Sequence, residues 1–281
     1  MSKGIDVSRH QGTVDWKKVR GAGIEFAVVR AGYGMYANQA DTEFAANMQG
    51  AKSAGIPVGV YWYSYAVTEA EAKREAETCL KVIEPYRGQI SLPVFFDQEY
   101  EPGIKAQSKE IRTGMCLAFL EAVRQAGYRP GLYCSYDWYQ NWVDLSRLSA
   151  YPVWIAQYAS RCSYGGQNLV AWQYTGKGTV SGVESLVDLD EGYAGLFLKT
   201  GWVWENAGWY WYENGAPVKN RWLKDGGWWY RLGPDGKMLT GLQDIGGKAY
   251  LLNSQGQSAA GGYIPTGACI ITDSSGALLF P

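Results

Sequence analysis

Along the first two thirds of the chain, short apolar runs alternate with stretches whose apolar residues recur every three or four positions. The runs read as strands over Gly4–Ser8, Phe26–Ala31, Pro57–Tyr65, Leu92–Glu99, Gly131–Ser135, Val153–Tyr158, Leu169–Tyr174 and Leu186–Leu189. Thr68 and Glu71 carry the signature of a capping box, which opens a helix running to about Glu84. Lys109–Ala126 places Ile111, Met115, Leu117, Leu120 and Val123 at helical spacing and stops at Gly127. Strands alternating with helices imply parallel β-α-β units. After Val153–Tyr158 the pattern changes. The next two gaps are about 10 residues long, rich in Gly, Ser, Asn and Thr, and without helical period. Eight strands with about five substantial crossover helices predict an α/β fold, an irregular, TIM-like (β/α)5β3 barrel whose last strands have lost their helices.

From residue 198 the pattern is a repeat. Trp202, Trp222, Leu242 and Tyr263 are spaced by 20, 20 and 21 residues. Each is followed by a Gly and then by a pair: Trp209–Tyr210, Trp229–Tyr230, Ala249–Tyr250 and Cys269–Ile270. Each unit then runs into a turn ending at Gly215, Gly236, Gly256 or Gly276. This predicts one β-hairpin per unit. A lone hairpin cannot bury a face, so the units must stack as a small solenoid. The expected division is a barrel over 1–197 and a repeat module over 198–281.

Composition narrows the function. A formal net charge of -1 with 47% hydrophobic residues excludes a largely disordered chain and argues against nucleic acid as a partner. No apolar run approaches the ~18 residues of a membrane span, and no membrane partner is expected. The opening MSKGIDVSRHQG lacks the apolar core of a signal peptide. The cysteines (79, 116, 134, 162 and 269) are odd in number and scattered, which reads as free thiols. With His10 as the single histidine, no metal site and no cofactor are expected. Trp and Tyr, at 13 and 21, far exceed the 7 Phe. That bias suits rings that pack on one side and meet water, a sugar or a quaternary amine on the other.

Candidate chemistry lies in the segment VFFDQEY. Asp97 and Glu99 are two apart on an expected strand, so both face one way, at the strand end where barrel active sites form. Adjacent carboxyls resist joint ionisation, which leaves an acid beside an anion, as glycosidic cleavage requires. Asp6 in the first strand and Asp188 in the last are brought together if the barrel closes; Asp190 is the alternative to Asp188. His10 follows the first strand. Arg30, Tyr33, Tyr61, Tyr63, Tyr133, Gln157, Tyr158 and Gln173 sit near expected strand ends, where polar tips reach the barrel mouth as substrate contacts.

The segments GIDVSRHQG, FAVVRAGYG, PVFFDQEY, WIAQY, WQY and VDLD, in this order, resemble the glycoside hydrolase family 25 lysozymes, over residues 1 to about 195. The resemblance implies an eight-stranded barrel with five helices and hydrolysis of the β-1,4 bond between N-acetylmuramic acid and N-acetylglucosamine. It implies Glu99 as general acid, Asp97 as the group that holds or polarises the sugar's N-acetyl group, and Asp6 and Asp188 as the rest of the acidic cluster, with retention assisted by the substrate's acetamido group preferred and covalent attack by Asp97 or Asp6 as the alternative. Arg30 stands where some members carry Lys. The C-terminal units resemble choline-binding-type cell-wall repeats, in which adjacent hairpins box a ligand; this implies cage positions at Trp202, Trp209, Trp222 and Trp229, with Tyr230 assisting, in at most one or two complete cages. Ala249, Cys269 and Leu242 replace expected cage residues, so the ligand is a choline-like group or another wall polysaccharide. Bacterial peptidoglycan is the implied partner, and pairing of repeats between chains would make a homodimer. The implied setting is a phage-type enzyme made in the cytoplasm and acting on the wall after release, with a bacterial autolysin as rival. The opposing hypotheses are a non-catalytic wall-binding protein on a decayed barrel and an enzyme acting on another glycan such as chitin.

Overall fold

The computed structural model describes residues 1–213, 215–258, 274, 275 and 277. Strand alternation and side-chain size decide how its first part closes. The order is β1 (Ser2–Val7), α1 (Trp16–Gly21), β2 (Phe26–Tyr33), α2 (Phe44–Ser53), β3 (Val58–Tyr63), α3 (Glu69–Ile83) and β4 (Ile90–Asp97). It continues with α4 (Pro102–Lys105), α5 (Lys109–Gln125), β5 (Pro130–Ser135), α6 (Leu145–Leu148), β6 (Val153–Ala156), β7 (Leu169–Gly178) and β8 (Val187–Gly192). These eight strands form one closed barrel in sequential order. From β1 to β7 neighbours are parallel, whereas β8 runs antiparallel to both β7 and β1. The link from β7 to β8 is too short for a crossover helix, so the chain turns back as a hairpin.

Two layers of core follow from the alternation. Residues such as Val29, Trp62, Val94, Phe96, Cys134 and Ile155 face the helices and join the larger buried cluster. Phe26, Val28, Phe95, Tyr133 and Trp154 form a second cluster. There the glycines have a purpose. A Cβ on Gly4 would lie 2.2 Å from the Phe26 ring, and one on Gly131 would lie 2.6 Å from that of Phe95. The two rings therefore occupy space that side chains on β1 and β5 would otherwise take, and the barrel below the acids is filled.

The expected helices are present with adjusted ends. Thr68 caps α3 by accepting from the Glu71 amide at 3.2 Å, while the Glu71 carboxylate reaches back to the amide of Val67. Ser108 caps α5, and Gly127 follows it with φ +80°. The buried stripe of α5 runs through Arg112, Met115, Cys116, Phe119, Leu120 and Val123. Ile111, expected on that face, lies off the stripe and is exposed. The fifth crossover departs from expectation: between β5 and β6 there is a five-residue π turn (Trp138–Trp142) and the four-residue α6.

The chain divides into two compact units, Met1–Phe197 and Leu198–Pro281. In the second, three hairpins are described: β9 (Gly201–Glu205) with β10 (Gly208–Glu213), to which β11 (Ala216–Pro217) adds; β12 (Trp222–Asp225) with β13 (Trp228–Arg231); and β14 (Gly241–Ile245) with β15 (Lys248–Leu252). Each turns through two residues at positive φ: Asn206–Ala207, Gly226–Gly227 and Gly246–Gly247. That geometry matches the strand twist and explains the turn chemistry at 20-residue intervals. Bridges Tyr210 to Lys237, Trp229 to Ser258 and Tyr250 to Ala277 connect each hairpin to later chain. Tyr263, Cys269, Ile270 and Gly276 of the fourth expected repeat lie outside the described residues.

Candidate active site

Alternation carries Asp97 into the barrel, and the ladder continues past it: the Gln98 amide donates to the Tyr133 carbonyl at 3.1 Å. Glu99 therefore faces inward too. Gln98, between them, points to the helix layer. Its Oε1 accepts from Trp138 Nε1 at 3.0 Å and from Cys116 Sγ at 3.3 Å, and its Nε2 donates to the Arg112 carbonyl at 3.3 Å. This clamp on the far face fixes the backbone from which both acids project.

Barrel closure places Asp6 directly opposite Asp188. A cavity of about 290 Å³ at this end is walled by Asp6, Asp97, Glu99 and Asp188, with Arg30, Tyr61, Tyr63, Tyr133, Tyr158 and Gln173 around them. Gln173 ties the wall together. Its Nε2 donates to Asp6 Oδ2 at 2.8 Å, and its Oε1 accepts from Tyr133 at 3.0 Å and from Tyr158 at 3.2 Å. Gly176 makes room, because a Cβ there would come within 2.8 Å of the Tyr158 hydroxyl and 3.0 Å of Asp188 Oδ1. Arg30 donates from Nε to Asp41 Oδ2 at 2.7 Å, and Asp41 also accepts from the amides of Arg9 and Glu43.

Two expected contacts are corrected. Gln157 does not line the cavity: β6 ends at Ala156, alternation lapses there, and the Gln157 side chain instead pairs with Ser163. Tyr33 also stands outside the cavity wall. It packs edge-on against Tyr65 at 6.1 Å, beneath the Arg9 guanidinium. Between Asp188 and Asp190, Asp188 is on the wall and Asp190 lies one step deeper in the register. The reading from sequence missed Trp154, Ser8, Gln11 and Asp41. Inward alternation along β6 carried the signal for Trp154; no local pattern marks Asp41.

Every acid of the cluster is pushed above the ordinary carboxylate range. For Asp97 burial is the main cause, then the charges of Glu99 and Asp6, with Arg30 opposing. For Glu99 burial leads, followed by Glu101 and Asp188. For Asp6 burial is followed by Asp190 and Asp188, with the Gln173 hydrogen bond opposing; Asp188 is raised by burial. The cluster thus retains protons where isolated carboxylates would not. A second cavity, about 320 Å³, shares Glu99, Tyr133 and Tyr158 with the first and is closed by Tyr100, Ser135 and Ala156. Glu99 therefore stands on the border of two adjoining spaces. A wider space of about 610 Å³ beside α1 has no such cluster, and its Asp15 and Lys18 pair with each other at 3.2 Å.

The sequence of residues 5–183, more than half of the chain, matches the glycosyl hydrolases family 25. The chain belongs to that family. Among curated relatives, the autolytic lysozyme of Clostridium acetobutylicum is 26% identical over 196 residues, which is 70% of this chain and 57% of that protein. Lysozyme M1 of Streptomyces globisporus is 26% identical over 197 residues, 66% of either chain. The solved structure of the modular autolysin LytC from Streptococcus pneumoniae superposes with a TM-score of 0.61 at 28% identity, covering 68% of this chain and 46% of that one.

The family 25 match ends before the second unit. There Trp202, Trp209 and Tyr230 line a cavity of about 200 Å³ with Met238, Gln255 and Gln257. Trp222 and Trp229, the other expected cage positions, are not on this wall. Trp222 packs on Tyr250 at 4.9 Å, with the Arg231 guanidinium 5.9 Å from its ring, and Lys224 lies 5.8 Å from the Trp229 ring.

Proposed function

We propose that the barrel is a peptidoglycan hydrolase, an N-acetylmuramidase cleaving the β-1,4 bond from N-acetylmuramic acid to N-acetylglucosamine. The observation that carries this reading is the place of Glu99, a carboxyl raised above its ordinary range by burial, on the border of two adjoining cavities. A sugar in each puts the bridging oxygen beside the acid. Family membership supports the reaction class, and LytC has been solved with a synthetic peptidoglycan ligand.

In this mechanism Glu99 donates its proton to the leaving oxygen as the C1–O bond breaks. Asp97 ends β4 two residues before Glu99 and projects on the same side, so it is poorly placed to attack the opposite face of the sugar. The substrate's acetamido oxygen attacks C1 instead, and Asp97 orients the amide and balances its developing positive charge. Substrate assistance of this kind is a known departure from the two-carboxylate scheme. Water then adds to C1, returns a proton to Glu99 and restores the acetamide. Asp6 and Asp188 complete the acidic wall, and Tyr61, Tyr63, Tyr133, Tyr158, Gln173 and Arg30 bind the glycan.

The second unit acts as a wall-binding module. Its Trp202–Trp209–Tyr230 cavity suits a quaternary ammonium or a sugar face, held by ring quadrupoles. The enzyme acts at the bacterial wall. Among the described residues no helix is long and apolar enough to cross a membrane.

The test is mass spectrometry of fragments released from purified peptidoglycan, with Glu99→Gln as control. Fragments ending in reducing N-acetylmuramic acid, absent with the variant, are expected. Reducing N-acetylglucosamine ends, or no fragments from walls of several bacteria, would overturn the reading.

A further inference from the structure

Below the cavity, where β1, β6, β7 and β8 converge, two carboxyl groups meet. Asp190 is 1% exposed and sits opposite Gly4, one step beneath Asp188. Its Oδ1 accepts from Trp154 Nε1 at 2.8 Å. Its Oδ2 is buried and meets no donor. The group it adjoins is the carboxyl of Asp6, whose own Oδ2 is taken by Gln173. Two carboxylate oxygens are both acceptors, and they bond only when one carries a hydrogen. An orphaned acceptor in a dry site costs free energy that a single shared proton removes.

We propose that Asp190 is a positioning residue that shares one proton with Asp6, and that this pair fixes the Asp6 carboxyl and holds the cavity floor at a single negative charge. The surroundings favour keeping the proton. Asp188 of β8, and Asp97 of β4 with Glu99 just past that strand, bring further negative charge towards Asp6. The phenols of Tyr61, Tyr133, Tyr158 and Tyr174 border the pair and supply no cation. Arg30 of β2, on the same wall, is engaged by Asp41. Burial raises both members of the pair; at Asp6 the charges of Asp190 and Asp188 add to it, and at Asp190 the charge of Asp188 does, while the hydrogen bonds from Trp154 and Asp6 oppose it. Stability from the shared proton is therefore fully present below the ordinary carboxylate range and lost as pH rises through the raised value.

Asp190→Asn tests this, because the amide supplies a permanent hydrogen to Asp6 and still accepts from Trp154. The first readout needs no substrate: the unfolding midpoint of the full chain against pH. The native chain should lose about 4 °C per pH unit from the ordinary carboxylate range, where the unfolded pair ionises, up to the raised value at which the native pair ionises, and the Asn variant should lack that part of the slope. The second readout is kcat/KM against pH. Its alkaline limb should move upward in the Asn variant, while Asp190→Leu, which leaves Asp6 without a hydrogen, should lose at least tenfold at every pH. Rescue by Asn relative to Leu marks positioning by a hydrogen bond. An Asn variant with the native dependence of midpoint on pH would overturn the shared proton. So would an Asn variant as inactive as Leu. The kinetic arm rests on the muramidase reading. If the native chain cleaves no wall while the midpoint slopes differ as stated, that reading fails and the shared proton stands.

Discussion

The acid cluster of the barrel mouth and two glutamates of the repeat unit, Glu205 and Glu213, are shifted in opposite directions. Asp6, Asp97, Glu99, Asp188 and Asp190 are all raised, chiefly by burial. In the repeat unit Glu205 is lowered by its hydrogen bonds to Lys199 and Tyr212, and Glu213 by Arg221. Both of those glutamates sit at the surface next to a cation, where screening makes such pairs worth little. The barrel gathers acids around few cations, largely buried, which destabilises the fold and strengthens their hold on protons. The repeat unit avoids that cost and exposes rings instead: Trp204 and Trp209 are among its most exposed large side chains. One unit concentrates raised acids, the other presents aromatic surface.

The largest effect follows from removing the donor. Glu99→Gln keeps the shape of the wall and removes the acid, so kcat on peptidoglycan should fall by about 1000-fold or more with the fold intact. A turbidity assay on cell walls, with circular dichroism as control, measures it. Activity within tenfold of native would place the acid elsewhere and break the contrast between the units.

The same contrast extends to a buried acid away from the cluster. Glu75 of α3 is fully buried and holds the loop after β3: its carboxylate accepts from Ser64 Oγ at 2.7 Å and from the Tyr65 amide at 2.8 Å. Burial pushes it up to about 7 from 4.5, against those hydrogen bonds. A raised carboxyl contributes stability that is complete below its unfolded value and lost as pH rises through the folded one. The loss from Glu75 therefore falls between about pH 4.5 and somewhat above 7. Glu75→Gln should remove this dependence, amounting to about 3 kcal/mol across that window. Urea unfolding from pH 5 to 9 would show it as a difference from native that grows with pH. A constant difference would mean that Glu75 stays charged throughout.

How far such features can be read from sequence differs between the units, for a physical reason. Alternation within one strand is local, so Asp97 and Glu99 were legible, and barrel closure brought Asp6 and Asp188 to them. The partners that tune the acids arrive from remote elements with no shared period: Asp41 on Arg30, Trp154 on Asp190, Trp138 and Cys116 on Gln98. Alternation also misled once the strand ended, at Gln157. In the repeats, the 20-residue period announced hairpins and turns, yet it did not say which rings share a wall. Trp202 and Trp209 come from one hairpin and Tyr230 from the next, while Met238, Gln255 and Gln257 lie in later connections.

Gln98→Ala probes the clamp behind the acids. It leaves Trp138 Nε1 without its acceptor and opens space in the helix layer, so stability should fall by about 2–3 kcal/mol. If the clamp also aims Asp97 and Glu99, kcat should fall about tenfold while KM changes little. A stability loss with kcat unchanged would make Gln98 a packing residue only.

The smallest expected effect belongs to the repeat unit, and it sharpens the division of labour. Trp209→Ala removes one face of the aromatic cavity that it forms with Trp202 and Tyr230. A ring–cation contact is worth about 0.5–2 kcal/mol, so wall binding should weaken by roughly 2–30-fold. Turnover of a short soluble glycan should not change, because the acids lie in the other unit. Trp229→Ala is the matched control. Its ring stands beside Lys224 rather than on the cavity wall, so its loss should cost less than that of Trp209. Cosedimentation with cell walls, repeated with choline and with wall sugars as competitors, separates the ligand classes. Equal losses from the two substitutions would mean that the whole ring-lined surface, rather than this cavity, holds the wall.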